Sequence, residues 1–315
     1  MHIHFKRIVL FTFASVLIVV CVLKLTPQNK NFWEIEIERK GPKTAWEEFK
    51  KTQNGLSPQI QHANAHEFGE ILYQTNGIEG IEACDDSFNY GCYHSIVGAA
   101  IGNKGKAVLK KINSYCVKLG GMGTVSCQHG IGHGIMGTTK YTIQDLLVAL
   151  QECDAIDPQK HILGCTNGAL MEYNFATLHN GKTKVRQFDR TNPLYPCSFL
   201  PKEFAPSCYF SLPQWWGEVA HLKSQEIYPY IGQVCGSLAK DEKKYCGLGA
   251  GVFAPRYSEW KTQTILSNCM KLNDKELEIY CRAALENFPG RKVPSIYCDT
   301  LASEDRITCK DFRFL

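Results

Sequence analysis

Apolar residues recur at steps of three and four residues in several short segments of the chain, and this spacing is typical of amphipathic α-helices. Two clear examples, 107–116 and 143–153, each end at a cysteine. Further short apolar segments each follow a later cysteine, at 130–136, 169–175, 247–253 and 282–288. Glycine, proline and aspartate, which favour turns, separate the two kinds of segment. The pattern therefore predicts pairs of helices joined by short turns.

The cysteines repeat with the same period as the helices. Six pairs are separated by eleven or twelve residues, and a seventh pair, Cys84 and Cys92, is separated by eight. The six regular pairs are Cys116 and Cys127, Cys153 and Cys165, Cys197 and Cys208, Cys235 and Cys246, Cys269 and Cys281, and Cys298 and Cys309. We expect a disulfide between the end of the first helix and the start of the second to close each hairpin. Cysteine usage at this level indicates an oxidising compartment.

Tandem helical hairpins of this length, each with its own disulfide, resemble the cysteine-rich Sel1-like repeat proteins of bacteria, which are relatives of the tetratricopeptide repeats. The resemblance covers residues 84–309 and concerns architecture, because the Ala/Leu-Gly/Tyr consensus of Sel1 repeats is absent. It implies an all-α fold in which αα-hairpins form a superhelical array, an α-solenoid, and in which each hairpin is closed by a local disulfide. Such an array has a concave groove that is used for binding.

The N-terminus has the pattern of a targeting segment. Lys6 and Arg7 precede a charge-free apolar run, and Lys24 ends it. The basic flank predicts a cytoplasmic N-terminus and export of the rest of the chain. We therefore predict a cytoplasmic segment (1–7), a transmembrane signal anchor (8–24), a linker (25–43) and a disulfide-rich helical repeat domain (44–315) that faces the periplasm or the cell exterior. A cleaved signal peptide and a lipoprotein that carries lipid on Cys21 are the alternatives.

Charge adds little to this picture. Of the formal net charge of +4, three positive charges belong to Lys6, Arg7 and Lys24, so the exported part is nearly neutral. This balance gives no indication of a nucleic-acid partner. Contact with a membrane is expected through the N-terminal helix only. A small molecule, a peptide or a glycan in the concave groove is the expected partner.

Five histidines are in register with the repeats. His94 and His129 each follow the second cysteine of a pair by two residues, and His133 follows by six. Positions four residues apart share one helical face, and equivalent helices of neighbouring repeats line the same side of a solenoid. A further predicted helix, 59–73, carries His62 and His66 four residues apart. We therefore expect the five imidazoles to converge on one surface.

Imidazoles four residues apart on a helix can bind one divalent transition metal, here Zn²⁺, Fe²⁺ or Cu²⁺. Ala63 stands where a zinc-protease helix has its glutamate, so that motif is absent. Glu70 lies one turn beyond His66 and is a candidate carboxylate ligand or base, whereas Glu172 is a weaker candidate. The predicted metal ligands are His62, His66, His94, His129 and His133.

The leading hypothesis is a metal-dependent extracytoplasmic enzyme, or metal-binding protein, whose substrate the sequence does not identify. The rival hypothesis is a non-catalytic solenoid that binds a peptide, glycan or protein partner. A hydrogen-bonded structural network is a third interpretation of the histidines. The glycines around His133, at 130, 132 and 134, favour either close helix packing or space for a substrate, and both interpretations remain open.

Overall fold

The computed structural model of the chain describes residues 30–179, 186–220, 222–223, 225–257, 261–288 and 296–314. These residues form α-helices, short 3₁₀ helices and turns, and no strand occurs among them. The predicted all-α class is confirmed. The helices are α1 (Lys30–Lys40), α2 (Pro42–Thr52), α3 (Pro58–Asn76), α4 (Gly91–Lys104), α5 (Leu109–Leu119), α6 (Gly121–Gly137), α7 (Ile143–Ile156), α8 (Cys165–Phe175), α9 (Ala205–Val219), α10 (Ile227–Cys235), α11 (Lys240–Phe253), α12 (Thr262–Met270), α13 (Lys275–Asn287) and α14 (Ser303–Asp311).

The chain divides into two compact units, of which the first ends at Asn54. In this unit α1 and α2 are joined at Gly41, whose φ of 83° lies in the left-handed region that favours glycine. Trp33 of α1 packs edge to face against Phe49 of α2, and Trp46 stacks on Phe49. These buried aromatic rings hold the two helices together. Part of the predicted linker, 25–43, is therefore helical.

The second unit, from Gly55 onwards, contains the cysteine pairs and the histidines. One helix of each hairpin packs on its counterpart in the next repeat, in the order α3, α4, α6, α8, α9, α11, α13 and α14. The other helices, α5, α7, α10 and α12, each pack on the helix that follows them. The first of these two sets of helices therefore forms the spine of this unit. Residues at equivalent positions of successive spine helices are neighbours. The superhelical arrangement of the hairpins stays a prediction.

All seven predicted local disulfides are present. They join Cys84 to Cys92, Cys116 to Cys127, Cys153 to Cys165, Cys197 to Cys208, Cys235 to Cys246, Cys269 to Cys281, and Cys298 to Cys309. The position of the second cysteine of a pair within its helix differs from the prediction in some hairpins. In α6, α11 and α13 it lies one to two turns inside the helix rather than at its start. The polar residues before it form the first turns, as at α13, where Asp274 caps the backbone N–H groups of Glu276 and Leu277.

Glycines let the spine helices approach one another closely. A Cβ atom on Gly132 of α6 would lie 2.0 Å from the carbonyl oxygen of Cys165 in α8. A Cβ atom on Gly168 of α8 would lie 1.9 Å from the carbonyl oxygen of His129. These distances leave no room for a side chain. Glycine at 132 therefore serves close helix packing, and the same contact fixes the position of His129 and His133 against α8.

We expect Gly132→Ala to lower the free energy of unfolding by about 3 kcal/mol, because the new methyl group forces the two backbones apart. Gly102→Ala in α4 is the matched control. No atom lies within 4 Å of the Cβ position at Gly102, so alanine there is expected to stabilise the helix by about 0.5–1 kcal/mol. Urea unfolding followed by circular dichroism measures both changes. Equal stability of the two variants would contradict the close-packed contact between α6 and α8.

The predicted N-terminal cytoplasmic segment (1–7) and signal anchor (8–24) lie outside the residues that the structure describes. None of the helices within the described ranges combines the length and the apolar character that a membrane span requires.

Candidate metal centre

The five histidines lie together where the spine helices α3, α4 and α6 meet. His94 of α4 lies in the middle, with ring-centre distances of 5.7 Å to His62 and 5.4 Å to His66 on one side. On its other side the ring centres of His129 and His133 are 5.2 Å and 5.0 Å away. The sequence-based expectation that these imidazoles converge agrees with this arrangement.

The ring of His133 is oriented by a carboxylate. Its Nδ1 donates a hydrogen bond to Glu172 Oε2 of α8 over 2.9 Å, so its Nε2 points the other way. The ring of His129 is oriented by backbone, because its Nδ1 donates to the Leu163 carbonyl oxygen at 3.1 Å. The two Nε2 atoms face each other at 3.1 Å. This pair therefore presents two nitrogens toward one point.

The pair on α3 is similar in part, because backbone orients one of its two rings. His62 Nδ1 donates to the Phe88 carbonyl oxygen at 2.7 Å, and His62 Nε2 lies 3.0 Å from His66 Nε2. Phe88 has a φ of 55° and is followed by two more residues in the left-handed region, Asn89 and Tyr90. Such backbone is costly for residues other than glycine, and it persists where the surrounding structure requires it. Here the strained turn brings the Phe88 carbonyl to the ring of His62.

The facing Nε2 atoms of His129 and His133 need a positive group between them. A hydrogen on Nδ1 leaves a neutral imidazole with a lone pair on Nε2. Both His129 and His133 use Nδ1 as the donor, so their neutral forms would place two lone pairs against each other. Either a shared proton or a metal ion resolves this repulsion. Two nitrogens bound at about 2.1 Å to one ion lie about 3.0 Å apart at right angles and about 3.4 Å apart in a tetrahedron.

Burial keeps four of the five imidazoles neutral. Together with the weaker effect of neighbouring imidazoles, it lowers the pKa of His129 and of His66 from 6.5 to about 3. Burial likewise lowers the pKa of His94 well below 6.5 and reduces that of His62. These four rings are therefore uncharged at neutral pH. Neutral imidazole is the form that binds metals.

Glu172 is a buried carboxylate with no exposed surface. Burial alone would raise its pKa, but the hydrogen bond and the charge of His133, with hydrogen bonds from Thr177 and Tyr141, outweigh that effect and hold the pKa at about 2. Tyr141 Oη donates to Oε1 at 2.5 Å, the Thr177 hydroxyl donates to Oε2, and the Leu178 backbone N–H donates to Oε1 at 3.1 Å. The carboxylate is thus ionised and held rigidly behind His133. A buried negative charge is costly without a compensating positive charge.

Two groups of three histidines have the spacing of metal ligands. His94, His129 and His133 form one group, and His62, His66 and His94 form the other. In each group one nitrogen per residue lies within 4.8 Å of the others. A buried triad of His94, His129 and His133 can hold a metal ion. Glu172, His133 and the ion would then form the carboxylate–histidine–metal arrangement that orients imidazole ligands in many metal sites.

Glu70, the sequence-predicted base, lies outside both groups. Its side chain is exposed and accepts a hydrogen bond of 3.4 Å from Gln74. It lines a cavity of about 280 Å³ together with Ser95, Gly98 and Leu178, which lie about one helical turn from the histidines. Glu172, the weaker candidate in the sequence analysis, is the carboxylate that contacts the cluster, through His133. The sequence contains a signal for Glu172, which is the one acidic residue in the apolar segment 169–175. A carboxylate is buried only where it has charged or hydrogen-bonding partners.

His161, Trp215 and Trp216 have structural roles. His161 Nδ1 donates to Asp157 Oδ1 at 2.7 Å, away from the five-histidine cluster. Trp215 and Trp216 are buried in α9, and the Trp216 indole N–H donates to the Pro193 carbonyl oxygen. Both tryptophans therefore contribute to helix packing rather than to an exposed stacking surface.

At one position of the spine helices, the residues change from polar to apolar along the chain. At the position that His94 and His129 occupy in their repeats, the next repeat has Asn167, whose Nδ2 donates to Ser211 Oγ at 2.9 Å. The later repeats have Phe210, Leu248 and Ala283 there, and all three are buried in one hydrophobic cluster. The default occupant of this position is thus an apolar core residue. The early repeats have an imidazole at this position instead of an apolar residue. An imidazole offers no packing advantage there.

We expect Glu172→Gln to weaken Zn²⁺ binding by about 10- to 100-fold, as is typical for loss of a carboxylate behind a histidine ligand. Glutamine preserves the volume but removes the charge that favours a cation on His133. Glu70→Gln tests the sequence-based assignment and is expected to leave the affinity unchanged. Competition with a fluorescent zinc chelator measures both constants. A larger loss for Glu70→Gln than for Glu172→Gln would contradict the assignment of Glu172.

Comparison with known proteins found no matching family model and no significant match among curated proteins or solved structures. The likeness to Sel1-like repeats therefore concerns architecture: an all-helical chain with local disulfides between neighbouring helices.

Proposed function

We propose that this chain is a metalloprotein that binds a divalent transition metal through His94, His129 and His133, and that this centre makes it a metal-dependent enzyme. The observation that carries the proposal is the pair of Nε2 atoms of His129 and His133, which face each other at 3.1 Å while their Nδ1 atoms donate to fixed oxygens. This geometry is the one that a bound cation stabilises. The ionised Glu172 behind His133 supplies the matching charge.

The donor set favours Zn²⁺, Cu²⁺ or Fe²⁺. Imidazole nitrogen suits these metals, whereas Mg²⁺ and Ca²⁺ prefer oxygen ligands. Thiolate ligands are not available among the described residues, because the cysteines there are all in disulfides. Three histidine ligands leave a coordination position open, as in catalytic zinc sites. An ion held in this way polarises a bound substrate oxygen and lowers the pKa of a bound water molecule.

The rival hypothesis, a non-catalytic groove for a peptide or glycan, receives less support. It predicts exposed polar and aromatic side chains at equivalent positions of many repeats. The later spine positions instead carry buried apolar residues, and the tryptophans are in the core. The third interpretation, a structural hydrogen-bond network, needs a proton between His129 and His133 in place of the metal ion.

Export to an oxidising compartment and the superhelical arrangement of the hairpins belong to the same proposal. Seven disulfides persist where thiols are not kept reduced, which supports a periplasmic or extracellular location. The packing of successive spine helices supports a solenoid, because each repeat contacts its neighbours. The N-terminal apolar segment supports attachment to the membrane.

Elemental analysis of the purified full-length chain tests the proposal. We expect at least one equivalent of a transition metal after reconstitution with Zn²⁺, Fe²⁺ or Cu²⁺, and loss of that equivalent in a His129→Ala/His133→Ala variant. His161→Ala is the matched control, because His161 is hydrogen-bonded to Asp157 outside the cluster. A wild-type chain that stays metal-free after reconstitution with all three ions would overturn the proposal.

A further inference from the structure

The cluster contains more imidazoles than one ion with an open position requires. His62 and His66 form a second facing pair that repeats the geometry of His129 and His133. The two pairs share His94, which belongs to both groups of possible ligands. We propose that the protein holds a second transition-metal ion at His62, His66 and His94, and that the His94 ring bridges the two ions. This inference rests on the proposed function and adds a second metal site to it.

His94 differs from its neighbours in how its ring nitrogens are used. His62, His129 and His133 each commit Nδ1 to an oxygen and therefore have one nitrogen left for a metal. No hydrogen bond joins the His94 ring to any residue within the described ranges. Both of its nitrogens are thus uncommitted, although the side chain is only 6% exposed. Each of these nitrogens can therefore take a metal ion as its partner.

The position of His94 between the two pairs supplies those partners. Its ring centre is 5.4–5.7 Å from the α3 rings and 5.0–5.2 Å from the α6 rings. The two nitrogens of an imidazole point in divergent directions, so one can face each pair. Ions bound at about 2.0–2.1 Å on both nitrogens of one ring lie about 6 Å apart. Each ion then has two histidines of its own and one nitrogen of His94.

Formation of the imidazolate bridge releases one proton from the His94 ring. A neutral imidazole carries one N–H, and binding of the second ion replaces this proton, which leaves to solvent. The resulting imidazolate carries one negative charge and lies between the two cations. Together with the ionised Glu172 behind His133, it reduces the repulsion between two divalent ions in a buried site.

The test uses copper as the probe, because an imidazolate bridge couples the unpaired electrons of two Cu²⁺ ions. The full-length chain is prepared with His2→Ala, His4→Ala and Cys21→Ser, which removes other potential copper ligands near the N-terminus. After loading with Cu²⁺ we expect two ions per chain by elemental analysis. We also expect loss of most of the low-temperature electron paramagnetic resonance signal relative to that copper content.

Two double variants locate the ions. His62→Ala/His66→Ala is expected to retain one Cu²⁺ with a full, uncoupled signal, and so is His129→Ala/His133→Ala. His161→Ala in the same background is the control and should retain two coupled ions. The measurement on the chain with all five cluster histidines does not depend on the folding of any cluster variant, and circular dichroism checks the helical content of each variant.

The outcomes separate the inference from the proposed function. Two coupled ions support both the bridged pair of ions and the proposed metal centre. One ion per chain, or two ions with a full signal, overturns the bridged pair and leaves the single metal centre standing. No bound ion overturns both.

Discussion

Reduction of the seven disulfides is expected to unfold the helical domain at neutral pH. Each disulfide closes a loop of 8 to 12 residues, which corresponds to about 2.5–3 kcal/mol in the chain-entropy model. Together they contribute roughly 20 kcal/mol, which exceeds the total stability of about 5–15 kcal/mol that is usual for a folded protein. The isolated hairpins are too short to be stable without these links.

Circular dichroism of the metal-free chain before and after treatment with dithiothreitol measures this effect. A parallel sample with oxidised dithiothreitol is the control and should keep its helical signal. Alkylation with iodoacetamide and mass spectrometry count the reduced cysteines. A fully reduced chain that keeps its helical signal and its cooperative thermal transition would contradict the stabilising role of the disulfides.

Acidification is expected to destabilise the metal-free protein strongly between pH 6.5 and pH 5. Burial lowers the pKa of His66 and His129 to about 3, and it also lowers the pKa values of His62 and His94. An unfolded chain exposes the same imidazoles at a pKa near 6.5. Between these values the unfolded state binds more protons, so the free energy of unfolding falls as the pH decreases. Each such histidine contributes at most about 1.4 kcal/mol per pH unit.

Urea unfolding of the chelator-treated protein at pH 7, 6 and 5 measures this slope. Buried carboxylates such as Glu172, which have a reference pKa of 4.5, add to the loss of stability mainly below this window. His129→Gln removes one titrating group and should make the slope shallower by up to one proton, whereas His161→Ala should not change the contribution of the cluster. A stability that is independent of pH between 7 and 5 would show that the imidazoles are not desolvated.

Much of the fold was predictable because the cysteines report the repeat directly. Their constant spacing predicted local disulfides, and the three- and four-residue steps of apolar positions predicted α5, α7 and their partners. The starts of α6, α11 and α13 were missed, because their first turns are rich in glycine or charged residues and lack an apolar pattern. In those turns capping and tertiary contacts decide the structure.

The candidate site was predictable only in part. The register of His94, His129 and His133 followed from the repeat, and the helix of His62 and His66 followed from its own sequence. Glu172 depends on how α8 packs against α6, and this packing is set by the glycine contact at Gly132 and by the segment that follows α8. The backbone carbonyl groups of Phe88 and Leu163 orient two of the rings. Every residue has such a group, so residue type does not reveal this role.

X-ray absorption spectroscopy at the zinc edge, on the full-length chain loaded with Zn²⁺, tests the central claim most directly, because it identifies the atoms bound to the metal. The account predicts a first shell dominated by nitrogen at about 2.0–2.1 Å, with the outer-shell scattering of at least three imidazole rings per ion. In the His129→Ala/His133→Ala variant the zinc itself should be lost if one ion binds; if two bind, the zinc content should fall by half and the remaining ion should keep a nitrogen shell. A first shell of oxygen alone, or of sulfur at about 2.3 Å, would contradict a metal centre built from these histidines.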